Sequence, residues 1–113
     1  EMATAAIHEL PVKVVIMDNR CLGMVHQWQK LFYHERYSST LLDSIPDFVK
    51  LANANGLKGA RVNTLEELEA AIQEALAEQE KGLGYVVDCN IEEKELVRPM
   101  VNGGTHITEF LVN

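Results

Sequence analysis

Apolar positions along this chain switch between two rhythms, and the switches mark its elements. Val12 to Met17, Val-Lys-Val-Val-Ile-Met, is a largely β-branched run of strand length bounded by Pro11 and Asp18-Asn19, and it predicts a buried strand. From Gly23 to Tyr33 the apolar residues Met24, Val25, Trp28, Leu31 and Phe32 take helical spacing, so a short helix leaves the strand through a flexible turn at Gly23. Glu1 to Leu10 is also helix-like, with Ala3, Ala6 and Ile7 on one side. It ends at Pro11, because a proline disfavours the α conformation in the residue before it. Pro46 to Asn55 predicts a helix with proline in its first turn, Gly56 just past its end, and Phe48, Leu51 and Ala52 as its buried stripe.

Lys58 to Val62 predicts a short strand. Thr64-Leu65-Glu66-Glu67 is a capping box opening a helix to about Glu80, with Leu65, Leu68, Ile72, Ala75 and Leu76 on its apolar face. Lys81 to Gly84 breaks that helix, and Tyr85 to Asp88 predicts another buried strand. Asn90 to Asn113 is less regular, punctuated by Pro99 and Gly103-Gly104, with Thr105 to Val112 expected as a last short helix. The order helix, strand, helix, helix, strand, helix, strand predicts an α/β fold, a three-layer parallel sheet with helices on both faces. Val12 to Met17 is expected to be a central strand, in which Val14, Val15 and Ile16 each contribute roughly 1.5–3 kcal/mol of burial before entropy is subtracted.

Candidate chemistry gathers where the first strand ends. Ligands in open α/β sheets bind beyond the carboxyl ends of strands, which is where Asp18 and Asn19 stand. A hard cation such as Mg²⁺ needs only one or two protein oxygens there, and an Asn carbonyl with a backbone carbonyl two residues on would suffice. Asp-Asn also turns a chain well with no ligand involved. Met24 and Trp28, four residues apart, share a helix face as ordinary core or as walls of a site. The aperiodic polar stretch His34 to Ile45 is either a lid or a surface connection. His26 and His34 have no carboxylate or cysteine at a diagnostic spacing, so both are expected at the surface.

Composition narrows the partners. One domain is expected from 113 residues, and 47% hydrophobic with 24% charged residues is the balance of a globular chain. Ten Lys and Arg against seventeen Asp and Glu give a net charge of −7, with no basic face for nucleic acid. The acidic excess, mainly in Glu66 to Glu80 and Glu92 to Glu95, is expected to be solvated. No run has the length of a membrane span and no signal peptide opens the chain, so a cytoplasmic location is expected. Cys21 and Cys89 suit reduced thiols. The chain opens at Glu1 in a helix-like pattern without an initiator Met, which suggests a fragment or a processed chain.

A longer ordered series carries more weight than any pair. Asp18-Asn19-x-x-x-Gly23-Met24-Val25-x-Gln27-Trp28-Gln29-x-Leu31-Phe32-Tyr33 is followed by Arg36-Tyr37-Ser38, Pro46-Asp47-Phe48-Val49-Lys50-Leu51-Ala52 and Pro99-Met100-Val101. With Glu1-Met2-x-Thr4-Ala5 at the start, it resembles the thiamine-diphosphate-binding domain of acetolactate (acetohydroxyacid) synthase catalytic subunits. The resemblance implies that residues 1–113 are the C-terminal portion of an incomplete domain of that kind. The parent enzyme would decarboxylate pyruvate and join it to a second 2-oxo acid in branched-chain amino-acid synthesis or a catabolic counterpart. The implied cofactors are thiamine diphosphate and Mg²⁺, the metal held by the Asn19 side-chain oxygen and the Cys21 backbone carbonyl. Gly23 and Met24 lie by the cofactor, and Trp28 lines the channel that selects the second oxo acid.

The resemblance also implies what lies elsewhere. No catalytic residue is expected in this segment: the family's Gly-Asp-Gly motif falls ahead of Glu1, and the activating glutamate comes from another domain of a partner subunit. The chain alone should therefore be inert. A dimer or tetramer of the parent, a regulatory subunit and, in a separate domain, FAD belong to the same expectation. Asp18 departs from the family, which usually has Asn there, and an extra carboxylate near a diphosphate should weaken its binding. Cys21 departs at little cost, since only its backbone is used. Two rivals remain: another thiamine-diphosphate carboligase or decarboxylase, and a non-catalytic α/β module that binds a partner. Gln27-Trp28-Gln29 and Pro99-Met100-Val101 favour the synthase. An exposed sheet edge and an uncovered apolar face are expected to promote self-association.

Overall fold

A computed structural model describes residues 1–111, whose elements in chain order are α1 (Met2–Ile7), β1 (Lys13–Asp18), α2 (Gly23–Phe32), α3 (Phe48–Ala54), β2 (Lys58–Val62), α4 (Leu65–Gln79), β3 (Tyr85–Asn90), β4 (Met100–Val101) and β5 (Phe110–Leu111). They fall into two units. The first holds Glu1–Asn19 and Asp43–Ile91, and the second holds Arg20–Leu42 and the segment from Glu92 onward.

The first unit is a parallel sheet in the order β1-β3-β2, with Val15 opposite Val87 and Val62 opposite Cys89. Tyr85, Val87 and Cys89 pack with Val62, Ala71 and Ala75 under α4, while Val86 packs on the other face with Ala52, Leu57, Met2 and Ala6. Helices therefore cover both faces, as the element order predicts, and β3 is buried on both sides at every position but Asn90.

The central strand is β3, not β1. Among the described residues β1 pairs with β3 alone, and Val15 and Met17 are 56% and 62% exposed. A continuous apolar run fixes neither how many strands lie beside it nor whether its faces are covered, and Val14 and Val15 are exposed here where burial was expected. Val15 and Met17, with Leu68, Ile72 and Cys89, line a groove of about 390 Å³ on the α4 side of the sheet.

Helix faces also depart from the expected stripes. On α4 the buried residues are Ala71, Ala75 and Glu78, and Leu65, Ile72 and Leu76 are exposed. Small alanines let the helix sit close to the sheet. Glu78 is tolerated there because one oxygen accepts from both Lys58 Nζ at 2.9 Å and Lys81 Nζ at 2.8 Å. On α1 the buried residue is Ala5, and Ile7 is exposed. On α3 only Ala52 is fully buried and Leu51 is exposed.

Asp47, rather than Pro46, starts α3: its carboxylate accepts from Lys50 N at 3.0 Å, and Gly56 beyond the end takes φ +85. At the start of α4, Thr64 Oγ1 accepts from Glu67 N at 3.2 Å, while the Glu67 carboxylate reaches one residue further back to Asn63 N at 2.6 Å. The expected last helix is absent: β5 pairs antiparallel with β4, Met100 opposite Leu111. Val112 lies outside the described residues.

Candidate functional site

Asp18 ends β1 as a buried residue, and its carbonyl accepts from Ile91 N at 3.0 Å. It lies in register with Asn90, two residues along the strands from the Ile16–Asp88 pair. On β2, Arg61 Nε donates to the Asp88 carboxylate at 2.8 Å. That hydrogen bond, with the charges of Asp88, Asp47 and Asp18, holds the guanidinium above its ordinary range. Asn19 follows, half-buried, and closes the first unit.

Arg20 and Cys21 belong to the second unit, where Arg20 takes a left-handed φ of 54°. Cys21 forms an antiparallel bridge with Leu41, carried by Leu42 N to Arg20 O and Leu22 N to Thr40 O, both 2.8 Å. Bonds placed this way leave the bridge's own residues as a non-hydrogen-bonded pair, so the Cys21 carbonyl faces away from Leu41. The Cys21 thiol donates to Glu93 O at 3.7 Å, and burial, then the Glu93 charge, pushes its pKa up. An amide oxygen and a peptide carbonyl are hard donors of the kind Mg²⁺ takes. Among the described residues no group of three or more His, Cys, Asp or Glu could hold a metal.

Gly23 is the first residue of α2, and this helix is buried on its polar side. His26 and Gln27 are buried, whereas Met24 and Trp28 are 57% and 42% exposed. Gln27 explains the inversion: its amide accepts from Val97 N at 2.8 Å and donates to Val97 O at 2.9 Å, as a neighbouring strand would. The expectation that His26 is a surface residue is overturned. Its ring stacks on Tyr37 at 4.2 Å and 3°, and Nδ1 lies 3.3 Å from Thr40 Oγ1. His34 is exposed, as expected.

Gln29 completes the attachment of the polar stretch to α2. Its side-chain oxygen accepts from Ser38 N at 3.2 Å and Thr40 Oγ1 at 2.9 Å, and its amide donates to Ser38 O at 3.1 Å. With the polar side of α2 so occupied, the opposite side presents Met24, Val25 and Trp28. Together with Gln29, Tyr33 and Arg36 they line an open cavity of about 590 Å³. Trp28 meets Phe32 edge to face, with centroids 5.6 Å apart. Met24 and Trp28 are thus brought together at a cavity, not in a core. Gln27 and Gln29 stand in the series that carries the resemblance, but spacing alone does not show them as the residues that anchor α2. The available signal was a glutamine on either side of Trp28, facing a Ser- and Thr-rich stretch able to receive them.

Residues 1–89 match the family model described as the thiamine pyrophosphate enzyme, C-terminal TPP binding domain. The chain belongs to that family. Among curated thiamine-enzyme relatives it is 40% identical over 113 residues to the acetolactate synthase large subunit of Haemophilus influenzae, covering 100% of this chain and 19% of that protein. It is 44% identical over 111 residues to the mitochondrial acetolactate synthase catalytic subunit of Saccharomyces cerevisiae, covering 98% of this chain and 16% of that protein. The chain thus spans about a fifth of the length of these relatives or less. A solved thiamine diphosphate-dependent 4-hydroxybenzoylformate decarboxylase of Rhodococcus jostii superposes with a TM-score of 0.65 at 26% identity, covering 81% of this chain and 17% of that one. The thiamine-enzyme fold is shared with that decarboxylase, and no helix among the described residues is long and apolar enough to cross a membrane.

Proposed function

We propose that this chain is part of the cofactor-binding domain of an acetolactate synthase catalytic subunit, which joins two 2-oxo acids with thiamine diphosphate and Mg²⁺. The observation that carries the proposal is identity of 40–44% to such subunits along 98–100% of the chain, which includes the α2 residues Met24, Val25 and Trp28 that line the cavity. Bound thiamine diphosphate would supply the electron sink for losing carbon dioxide from a 2-oxo acid. The residues of this chain bind, orient and select.

In this proposal Asn19, through its side-chain oxygen, and Cys21, through its backbone carbonyl, are Mg²⁺ ligands, and the metal clamps the diphosphate. Gly23 and Met24 border the cofactor, Gly23 because a residue without a side chain admits close approach. Trp28 walls the channel of the second 2-oxo acid. The remainder of the site, including the activating glutamate, comes from other domains and a partner subunit. A dimeric or tetrameric parent with a regulatory subunit, located in the cytoplasm, belongs to the same proposal, as does FAD in a separate domain.

Asn19→Ala in the full-length protein tests it. Titration calorimetry should show Mg²⁺-dependent thiamine diphosphate binding weakened about tenfold or more, the loss of one charge-assisted contact. Unchanged affinity removes Asn19 from the metal site. The structural likeness to a decarboxylase supports a second proposal, a parent that only releases carbon dioxide. Acetolactate among the products of pyruvate decides between the two.

A further inference from the structure

We propose that Arg61 is a positioning residue for the cofactor end of β1, holding the Asp18 carboxylate on the α3 side of the sheet and off the diphosphate whose metal Asn19 ligates. The inference rests on the proposed function and adds to it a residue two strands away. Strand alternation puts the charges on one face, because side chains two residues apart on a strand point the same way. Ile16 packs with Val86 and Ala52, so Asp18 follows Ile16 on the α3 side of β1 and Asp88 follows Val86 on the same side of β3. A Cβ on Gly59 would lie 3.6 Å from the Ala52 Cβ, which sets Gly59, and with it Arg61, on that side of β2.

Register then brings them close. Arg61 and Ile16 both lie opposite Asp88, and Asp18 is two residues beyond Ile16. At a strand spacing of about 4.8 Å and a rise of about 3.3 Å per residue, the Asp18 and Asp88 backbones stand roughly 8 Å apart. Both carboxylates are sealed, Asp88 at 0% and Asp18 at 7% exposure. Arg61 Nε donates to Asp88 at 2.8 Å, its Nη2 lies 3.9 Å from Asp47 Oδ1, and the Asp18 charge acts on the same guanidinium. One planar fork thus answers three carboxylates, which lysine's point charge could not do.

That face has no positive charge to spare. Asp88 Oδ1 is without a hydrogen-bond partner among the described residues even with Arg61 in place. Asp18 is the last residue of β1, and Asn19 follows it directly. Without the guanidinium, a buried Asp18 charge is left uncompensated, and a buried charge stays buried only when it is paired. Its relief lies at the open end of the strand. There a carboxylate competes with the diphosphate oxygens for Mg²⁺ and repels them, so the cofactor binds less tightly.

Titration calorimetry of the full-length protein with thiamine diphosphate, at saturating Mg²⁺, tests the assignment. Arg61→Met/Asp88→Val removes one charge of each sign and leaves apolar side chains in place of the buried pair, an exchange that is often neutral for folding. It should weaken thiamine diphosphate about tenfold, and adding Asp18→Asn should bring affinity back to within about threefold of wild type, as Asp18→Asn alone should be. A purely structural Arg61 would give no such rescue, because Asp18→Asn repairs nothing in the lost pair. If Arg61→Met/Asp88→Val does not fold, Arg61→Lys carries the test: affinity should fall severalfold and Asp18→Asn should again restore it. Wild-type affinity in the variant that lacks the guanidinium, or a loss that Asp18→Asn leaves in place, overturns the assignment. Wild type that binds no thiamine diphosphate overturns the proposed function and this inference together. Wild type that binds it but makes no acetolactate from pyruvate removes the synthase reading alone, and the titrations still decide Arg61.

Discussion

Arg61→Met removes the counter-charge from a carboxylate that is sealed in the sheet. Asp88 is 0% exposed on β3. One of its oxygens accepts from Arg61 Nε at 2.8 Å, and its Oδ1 has no hydrogen-bond partner among the described residues. Breaking a buried pair by deleting one member costs about 3–5 kcal/mol, because the remaining charge stays desolvated. Arg61 is itself 37% exposed, so water screens the pair from one side, and Asp47 Oδ1 lies 3.9 Å from its Nη2. The lower end, about 3 kcal/mol, therefore applies. Methionine retains an apolar stem, which limits lost packing. With a urea slope of about 1.5–2 kcal/mol per molar for a chain of this size, the unfolding midpoint at pH 7 should fall by about 1.5–2 M. Far-UV circular dichroism reads it. Adding Asp88→Val to Arg61→Met should restore stability to within about 1 kcal/mol of wild type, since an apolar replacement for a buried pair is often neutral or better. A single variant that moves by less than about 0.5 M would refute the burial argument. A double variant as unstable as the single would refute desolvation as its cause.

Gly59→Ala should lower stability by about 1–3 kcal/mol in the same assay, because a Cβ there would stand 2.7 Å from the backbone oxygen of Val86; an unmoved midpoint would mean that the strands can separate freely. The hydrogen bonds from Lys81, then Lys58, hold the Glu78 carboxyl below its ordinary value of 4.5. Its stabilisation is therefore present above that pH and is lost as pH falls through the lowered value, so Glu78→Gln should flatten the acid limb of a melting-temperature profile below about pH 4.5. Trp28→Leu in the full-length protein should shift the ratio of products from competing pyruvate and 2-oxobutanoate severalfold while leaving the unfolding midpoint nearly in place; an unchanged ratio counts against the channel assignment.

The element order and most element boundaries were legible because they rest on local rules. Gly56 follows α3, and Thr64 caps α4 through a hydrogen bond that two adjacent turns of chain determine, whereas α1 ends at Ile7, short of the Leu10 that precedes Pro11. Burial was less legible, because it depends on what lies opposite. Leu65, Ile72 and Leu76 carry more apolar surface than Ala71 and Ala75, so a hydrophobic stripe drawn on α4 favours them. Yet the sheet receives the alanines, where the helix approaches most closely. The same ambiguity moved the central strand from β1 to β3. Lys58-Gly-Ala-Arg-Val62 looks like a weak strand, but it supplies the second neighbour of β3 and, in Arg61 Nε, the donor to the buried Asp88 carboxylate.

The candidate site shows the converse error. His26 is expected at the surface, while the spacing of Met24 and Trp28 leaves core or site wall open and the resemblance favours the wall. The structure buries His26 and Gln27 instead, because Gln27 satisfies both peptide groups of Val97 and His26 lies flat on Tyr37. Each of these polar partners is at least eleven residues distant, beyond the reach of periodicity. Turning the polar side inward turns Met24, Val25 and Trp28 outward, and an exposed Met, Val and Trp on one helix face is costly unless something occupies the cavity they line. Asn19 was legible from its place beyond the carboxyl end of β1, and Met24 and Trp28 from their spacing together with the family resemblance. The exposure of Met24 and Trp28 on α2, by contrast, follows from the Gln27–Val97 and His26–Tyr37 contacts, which no local rule reaches.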